Sequence, residues 1–267
     1  MRDADDCRRV AVWLHSYCGM HYPESKVGLL IQRLNRVVER FELGSLERLA
    51  DEVEQGANSE IVSAVTHAAS TNHTYFYREP QVLVHFRDMI LPALANQPKI
   101  RVWSAAASTG DEAYTLAMIA SDVLGLQAAK SRMSVLGTDI SGTVIRHAEA
   151  AKYRMASLQS VDPETKERYF CAIDDGRYAV CEDIRRICTF RRMNLQRHPY
   201  PFQKRFDVVL CRNVLYYFDR NHQRSVLEAI YDVTEPGGWL LTSVTEAVRD
   251  LGTRWITISG GVHRRLL

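Results

Sequence analysis

Hydrophobic residues in the first 70 positions recur at three- and four-residue intervals, as at Leu30, Leu34, Val37 and Val38. This spacing places them on one face of an α-helix. Glycines at 19, 44 and 56 and a proline at 23 interrupt the pattern, and strand-like alternation is nearly missing. We therefore predict an all-α domain of several short helices over residues 1–70.

The pattern changes from residue 100 onward, where short apolar runs alternate with helical stretches. The apolar runs cover 101–104, 134–137, 206–210 and 238–242, and the helical stretches cover 111–124, 141–151 and 220–233. This alternation predicts an α/β fold with a parallel, doubly wound sheet. In such a sheet the carboxyl ends of the strands lie along one edge, where ligands bind.

Two segments fall outside the alternation. Residues from about 152 to 192 contain short apolar runs around the turn Asp174-Asp175-Gly176, which predicts a small β insertion. Residues 71–99 join the helical part to the first strand and are interpreted as a linker. The segment 100–267 is interpreted as one α/β domain that carries the insertion.

Composition and charge limit the classes of function. Of the 267 residues 46% are hydrophobic, which is enough for a buried core, and the formal net charge is +2. A charge so close to zero does not indicate a nucleic-acid binder. No apolar run approaches the roughly 20 residues that a membrane helix needs. We expect a cytoplasmic protein that binds no nucleic acid and does not insert into a membrane.

The cysteines, at 7, 18, 171, 181, 188 and 211, form no C-x-x-C pair, and no histidine lies at a spacing typical of a tetrahedral zinc site. We therefore expect no metal and reduced thiols. Disulfides are the alternative for an even number of cysteines.

Polar side chains follow the predicted strands at the ligand-binding edge. Asp111 and Glu112 begin the helix after the first strand, Asp139 follows the second strand, and Asn194 and Asn213 follow two later strands. Carboxylates at a helix start disfavour pyrophosphate but suit the ammonium and sulfonium of S-adenosylmethionine (SAM). An acid at the position of Asp139 accepts hydrogen bonds from ribose hydroxyls in dinucleotide-binding folds, and an amide suits adenine or an amino-acid group because it donates and accepts.

Each of these residues has an ordinary structural alternative. A loop of small residues can simply connect a strand to a helix, Asp139 can cap the helix that begins near Ser141, and asparagines are common in turns. A shared ligand site is favoured because four strand ends each carry a polar residue at one edge.

Five segments in this order resemble the CheR family of chemoreceptor glutamate methyltransferases. They are 71–79 (TNHTYFYRE), 102–114 (VWSAAASTGDEAY), 137–140 (GTDI), 206–219 (FDVVLCRNVLYYFD) and 236–240 (PGGWL). The resemblance covers nearly the whole chain. It implies a helical N-terminal domain, a linker, and a Rossmann-like SAM-methyltransferase sheet with a small β insertion.

The resemblance also implies the site residues. An arginine and a tyrosine lie near the reacting methyl group in this family, which implies catalytic roles for Arg78 and Tyr217. The family's cofactor contacts correspond to Asn72, Thr74, Arg78, Glu112, Asp139, Asn194, Leu195, Asn213 and Val214. Without the resemblance, Arg78 is better interpreted as the partner of Glu79 in a salt bridge.

A glutamate carboxylate is ionised at neutral pH, so its methylation needs no general base. We expect a direct in-line displacement whose rate depends on placing the carboxylate and excluding water. Arg78 would orient the carboxylate, and Tyr217 would line the path of the methyl group.

The implied partner is the cytoplasmic helical bundle of a chemoreceptor, which is acidic in this family. Lys26, Arg33, Arg36 and Arg40 lie on roughly one helical face and are predicted to dock it, although such a stripe is often only solvated. In some family members the β insertion also binds a tethered receptor peptide. The short turn at Asp174-Asp175-Gly176 weighs against that contact here.

The chain departs from the family pattern at three places. Asp111 replaces a usual glutamate, Ala113 replaces a usual proline, and Ser-Val-Thr-Glu at 243–246 replaces Gly-His-Ser-Glu. None of these removes a cofactor group, so we expect SAM binding to be kept and the fit to the receptor to differ.

Two rival functions remain at this stage. One is an RNA methyltransferase, suggested by basic residues at 185, 186, 191, 192, 197, 204 and 205, although no aromatic platform for bases accompanies them. The other is an adaptor that binds SAM without catalysis.

Overall fold

The N-terminal residues fold into α-helices, as their periodicity predicts. The computed structural model describes residues 2–70, 73–173 and 176–267. The first helices are α1 (Arg2–Cys18), α2 (Val27–Arg40), α3 (Leu46–Gln55) and α4 (Ser59–Ala69). Ser45 and Asn58 begin α3 and α4 by accepting backbone N–H groups. Leu14 and Leu30 are fully buried in the core between the helices.

One aromatic side chain of the linker is anchored in the core of the α/β part. Phe76 is fully buried, and its ring packs edge-on against Tyr153 and Phe170 with ring centroids 4.8 and 4.9 Å away. Its backbone N–H donates to the carbonyl of Ser157. The linker then enters a continuous helical segment made of α5 (Pro80–His85), a π-helical turn (Phe86–Ile90) and α6 (Leu91–Leu94).

The remaining described residues form two sheets and their connecting helices. The strands are β1 (Ile100–Ser104), β2 (Met133–Asp139), β3 (Lys152–Arg154), β4 (Phe170–Ile173), β5 (Arg177–Val180), β6 (Cys188–Arg192), β7 (Phe206–Leu210), β8 (Thr234–Leu241), β9 (Ile256–Ser259) and β10 (Val262–Arg264). The helices are α7 (Asp111–Leu124), α8 (Leu126–Arg132), α9 (Gly142–Ala150), α10 (Pro163–Tyr169), α11 (Glu182–Arg185) and α12 (Arg220–Asp232).

The main sheet has seven strands in the order β6-β2-β1-β7-β8-β10-β9. The first five are parallel, whereas β10 is antiparallel to both β8 and β9. Val208 and Leu210 pack in the same core as α7, whereas Val209 packs with Val226 and Leu227 of α12. Both faces of the sheet are therefore covered by helices, which confirms the predicted doubly wound α/β class with a helical N-terminal part.

The chain builds outward from β1 to β2 and β6, then returns to place β7 on the other side of β1. This reversal makes a crevice at the carboxyl ends of β1 and β7, the place where doubly wound sheets bind ligands.

The insertion is a small antiparallel sheet in the order β3-β5-β4. The predicted insertion runs from about 152 to 192, but Cys188–Arg192 is β6, which pairs in parallel with β2 in the main sheet. The turn residues Asp174 and Asp175 lie outside the described residues. The division of the chain at residues 70 and 99 stays a prediction.

The helical part packs against the main sheet's ligand-binding edge. The backbone N–H of His21 donates to the carbonyl of Tyr217 at 2.7 Å, and Met20 forms an isolated antiparallel bridge with Phe218. The side chain of His67 in α4 contacts the hydroxyl of Ser141 at 3.0 Å. The loop after α1 therefore forms one wall of the crevice.

All six cysteines are free thiols, as the sequence analysis expects. Within the described ranges, no helix is both long and apolar enough to cross a membrane.

Candidate active site at the sheet edge

A cavity of about 950 Å³ opens at the carboxyl ends of the parallel strands. Its walls come from the linker, from the loops after β1, β2, β6 and β7, and from Cys18 and Met20 of the helical part. The predicted site residues that line it are Thr74, Arg78, Glu112, Asp139, Asn194, Leu195, Asn213, Val214 and Tyr217. Asn72, also predicted to contact the cofactor, lies outside the described residues. The structure thus brings together residues from five separate segments.

The loop after β1 requires a glycine where it meets α7. Gly110 has a φ of 90°, and a Cβ there would lie 2.8 Å from the Cβ of Ala148. The two carboxylates that follow have different surroundings. Glu112 lines the cavity, whereas Asp111 is fully buried, accepts a hydrogen bond from the hydroxyl of Thr109, and is not among the lining residues. Burial raises the pKa of Asp111 to about 6.

Glu112 is held in place by two neighbours. One carboxylate oxygen accepts a hydrogen bond from the hydroxyl of Ser104 at 2.7 Å, and the other pairs with Arg212 at 2.8 Å. The carboxylate of Glu112 is therefore held at the cavity wall and does not turn into solvent.

Arg212 is the central cation of the site, and the sequence analysis did not single it out. Its side chain is 2% exposed and contacts Glu112, the carboxylate of Glu79 at 3.4 Å, and the carbonyl of Arg78 at 2.6 Å. The only sequence signal for it is its place in the segment 206–219. Its Nε is buried without an acceptor among the described residues, so it remains a donor for an anionic group of a ligand.

Glu79 connects the linker to the loop after β7. Its backbone has a φ of 54°, in the left-handed region, and its Oε1 accepts hydrogen bonds from the amide of Asn213 and the hydroxyl of Ser243. Burial by itself would raise the pKa of Glu79, but the bonds from Asn213, Arg212 and Ser243 hold it below its ordinary value. Glu79 is therefore an anion that pairs with Arg212, and the salt bridge between Arg78 and Glu79, considered above as an alternative, does not form.

Glu246 shapes the loop after β7 by accepting backbone N–H groups. Its two oxygens bind the N–H groups of Asn213, Val214, Leu215 and Ser243 at 2.9 to 3.1 Å. Burial raises its pKa even though these bonds act in the opposite direction. Glu246 is the last residue of 243–246, one of the segments that differ from the family pattern. The carboxylate that organises this loop is therefore kept despite the difference.

Asp139 lies half-buried at the end of β2 and faces the cavity. Its oxygens accept the N–H groups of Ser108 and Ser141 at 3.0 and 2.9 Å. The hydroxyl of Ser141, and not Asp139, caps α9. Burial raises the pKa of Asp139 to about 6. The carboxylate joins the loops after β1 and β2 and keeps lone pairs for further donors.

The side chains of both asparagines are engaged in contacts within the protein, and Asn194 also makes the local turn contact expected of an ordinary asparagine. The amide of Asn194 donates to the carbonyl of Tyr17 in α1 at 2.7 Å and accepts from the N–H of Gln196. The amide of Asn213 donates to Glu79, and its φ of 57° suits an asparagine. Both line the cavity, but part of their hydrogen-bonding capacity is already used.

Arg78 and Tyr217 lie on the same cavity. Arg78 is partly exposed, and its guanidinium donates to the carbonyl of His73 at 2.7 Å. The hydroxyl of Tyr217 accepts a hydrogen bond from that of Tyr216 at 3.2 Å. Arg78 is therefore placed by one backbone contact within the linker, which leaves further donors of its guanidinium for a bound anion.

The predicted docking residues differ in their surroundings. Lys26, Arg36 and Arg40 are exposed on the surface of α2 and the turn before it. Arg33 is half-buried and donates to the carbonyl of Ala69 at 3.0 Å. Because Ser70 lines the cavity, Arg33 fixes the end of α4 at the cavity wall, whereas the other three cations face solvent.

Comparisons with known proteins identify the family of the chain. A sequence model of the family described as "CheR methyltransferase, SAM binding domain" matches residues 72–262. The chain is 34% identical to the chemotaxis protein methyltransferase of Vibrio parahaemolyticus, over 90% of this chain and 88% of that protein. It is 33% identical to chemotaxis protein methyltransferase 1 of Vibrio cholerae, over 92% of this chain and 89% of that protein.

A solved SAM-dependent methyltransferase from Geobacter sulfurreducens, in complex with S-adenosyl-L-homocysteine, is also similar, at 15% identity and a TM-score of 0.37, over 64% of this chain and 50% of that one. The match to the family model and the identity to the two Vibrio proteins confirm the resemblance found in the sequence: the chain belongs to the CheR family of SAM-dependent methyltransferases and acts in chemotaxis.

Proposed function

We propose that the protein transfers the methyl group of SAM to glutamate side chains on the cytoplasmic helical bundle of a bacterial chemoreceptor. The glutamyl methyl esters would serve signalling adaptation. The observation that carries the proposal is the single cavity that Arg78, Glu112, Asp139, Asn213 and Tyr217 share. Such a receptor bundle lies in the cytoplasm, where we accordingly place the protein.

The residues of the cavity fit SAM group by group. Glu112 offers a fixed carboxylate for the ammonium group, and Asp139 offers acceptors for ribose hydroxyls. The Nε of Arg212 is a donor suited to the carboxylate of the methionine part. Leu195 and Val214 offer apolar surface for adenine. The fit involves no metal ion.

The chemistry follows from the charges of the groups involved. Bound SAM supplies an electrophilic methyl group on a sulfonium. The substrate carboxylate is already an anion at neutral pH, so the protein needs only to place it and exclude water. Arg78 would orient the carboxylate by charge-assisted hydrogen bonds, and the ring of Tyr217 would close the cavity beside it.

The exposed cations of α2 support an acidic helical partner. Lys26, Arg36 and Arg40 face solvent on the helix that contacts the end of α4 through Arg33, next to the cavity. A basic surface beside the site steers an acidic bundle toward it. By contrast, several cations that suggest RNA are already engaged, since Arg185 and Arg186 pair with Glu182 and Arg192 donates to the carbonyl of Ile140.

Incubation with SAM carrying a tritiated methyl group and a purified chemoreceptor cytoplasmic domain should label the receptor. Mild base should release the label as methanol, because esters hydrolyse under conditions that leave nitrogen- and carbon-methyl groups intact. Label that stays on the receptor after base would overturn the assignment to carboxylates. Labelled RNA with an unlabelled receptor would favour the rival enzyme, and no transfer at all would favour the adaptor.

Arg78→Ala should lower the rate of methyl transfer by about 100-fold, because the carboxylate would no longer be oriented. Single-turnover kinetics measures the rate, and thermal unfolding checks that the variant folds. Arg87→Ala is the control, since Arg87 is an exposed arginine that pairs with the neighbouring Asp88. Equal rates for both variants would remove Arg78 from the catalytic residues.

Arg36→Glu combined with Arg40→Glu should raise the KM for the receptor at least about tenfold, because like charges would then oppose the acidic bundle. Arg33 is left unchanged because it holds Ala69. The Kd for SAM, measured by titration calorimetry, should stay the same. Arg48→Glu, an exposed charge reversal on α3, is the control. An unchanged KM in the double variant would separate α2 from docking.

The affinity for SAM should fall as pH drops through 6. A protonated Asp139 accepts fewer hydrogen bonds from ribose. Because burial raises the pKa of Asp139 to about 6, only about one molecule in eleven has an ionised Asp139 at pH 5. The Kd should therefore rise about tenfold between pH 7.5 and pH 5. Asp139→Asn should bind more weakly and lose most of this dependence. A wild-type Kd that is flat over this range would contradict the role of Asp139.

A further inference from the structure

A cluster of histidines lies outside the cavity, where α1 meets the start of α12. Nε2 of His15 and Nδ1 of His222 each lie 2.8 Å from the same carboxylate oxygen, Oδ2 of Asp219. The side chains of His15, Asp219 and His222 are 41%, 33% and 30% exposed, so ions in solvent can reach them. The cavity residues do not include any of the three.

The geometry points to a binding site for a divalent transition-metal ion, with Zn²⁺ as the best fit, formed by His15, Asp219 and His222. One potential ligand atom from each residue lies within 4.8 Å of the other two. Two imidazoles and one carboxylate are a ligand set that zinc takes in proteins, with a fourth position left for water. The spacing of cysteines and histidines in the sequence indicated no metal, and this cluster has no local spacing signal because His15 and Asp219 are 204 positions apart.

The backbone around the cluster places the ligands in advance. Oδ1 of Asp219 accepts the N–H of His222 at 2.9 Å and so caps α12, which fixes the carboxylate. His15 lies in the last turn of α1, and its carbonyl accepts the N–H of Gly19 at 2.8 Å. The rings of His15 and His222 stand edge to face, 4.7 Å apart. One helix start and one helix end therefore present the three side chains to a single point.

Hydrogen bonds alone also account for the short contacts, since a neutral imidazole can donate an N–H to Asp219. Metal binding requires each facing nitrogen to lose that proton and the three ligand atoms to shift until they lie about 3.3 Å apart, the spacing of ligand atoms around tetrahedral zinc. A bound ion would then replace the two imidazole protons as the partner of the Asp219 carboxylate.

The site lies where the helical part meets the start of α12. His15 belongs to the helical part, whereas Asp219 and His222 follow Tyr217 and Phe218 at the cavity wall. An ion held by both sides would tie α1 to α12 beside the backbone contact between His21 and Tyr217. Metal binding should therefore stabilise the packing of the helical part over the cavity.

The test uses the full chain after removal of metals with a chelator. Titration calorimetry with Zn²⁺ alone at pH 7.5 should show one site, and a saturating concentration should raise the Tm by several degrees. Co²⁺ in place of Zn²⁺ should give visible absorption without the strong near-ultraviolet band of thiolate ligands, which separates this site from the exposed thiol of Cys171.

His15→Gln and His222→Gln should each weaken Zn²⁺ binding at least tenfold and abolish the rise in Tm. His21→Gln is the matched control, because the ring of His21 lies 6.2 Å from that of His15 without joining the cluster, and it should bind Zn²⁺ like the wild type. Absence of a Zn²⁺ site in the wild type would overturn the proposal. So would equal affinity in all three variants, or a thiolate band with Co²⁺.

Discussion

The site depends on one buried cation between two carboxylates. Arg212, on the loop after β7, pairs with Glu112 at the start of α7 and with Glu79 in the linker, and it also binds the carbonyl of Arg78. Without Arg212, two largely buried carboxylates would face each other without a counter-ion. Removal of one partner from a buried ion pair costs about 3–5 kcal/mol, so this arrangement determines where the linker lies. The same arrangement places Arg78, because Arg212 donates to the carbonyl of Arg78 and pairs with the side chain of the next residue, Glu79.

Much of the fold could be predicted because it depends on local periodicity. The apolar run at 206–210 coincides with β7, and the runs near 100 and 134 fall within β1 and β2. The predicted run at 238–242 covers only the second half of β8. β8 begins at Thr234 and includes Pro236 and Gly237, and its pairing with β7 shifts register between Phe206 and Val208. Proline and glycine indicate a turn in a sequence, but an irregularity in a strand can accommodate them.

The residues missed by the sequence analysis are those whose role depends on contacts across long separations. Arg212 looked like one basic residue among many, and its role arises only when the linker and α7 bring Glu79 and Glu112 beside it. Glu246 likewise acts through backbone N–H groups that lie 31 to 33 residues earlier in the chain. Asn194 and Asn213 were predicted from their places at strand ends and do line the cavity, but their amides also bind Tyr17 and Glu79, contacts that the sequence did not indicate.

The helical part contributes to the cavity itself and is more than a docking module joined by a linker. Cys18 and Met20 line the cavity, and the carbonyl of Tyr17 holds the amide of Asn194. Arg33 fixes the end of α4 through Ala69, so the helix proposed to meet the receptor is connected to the cavity wall through the hydrogen bond between Arg33 and Ala69. A partner that displaced α2 would therefore disturb residues that face the ligand. The surface proposed to dock the receptor and the wall of the cavity are thus joined by direct contacts within the helical part.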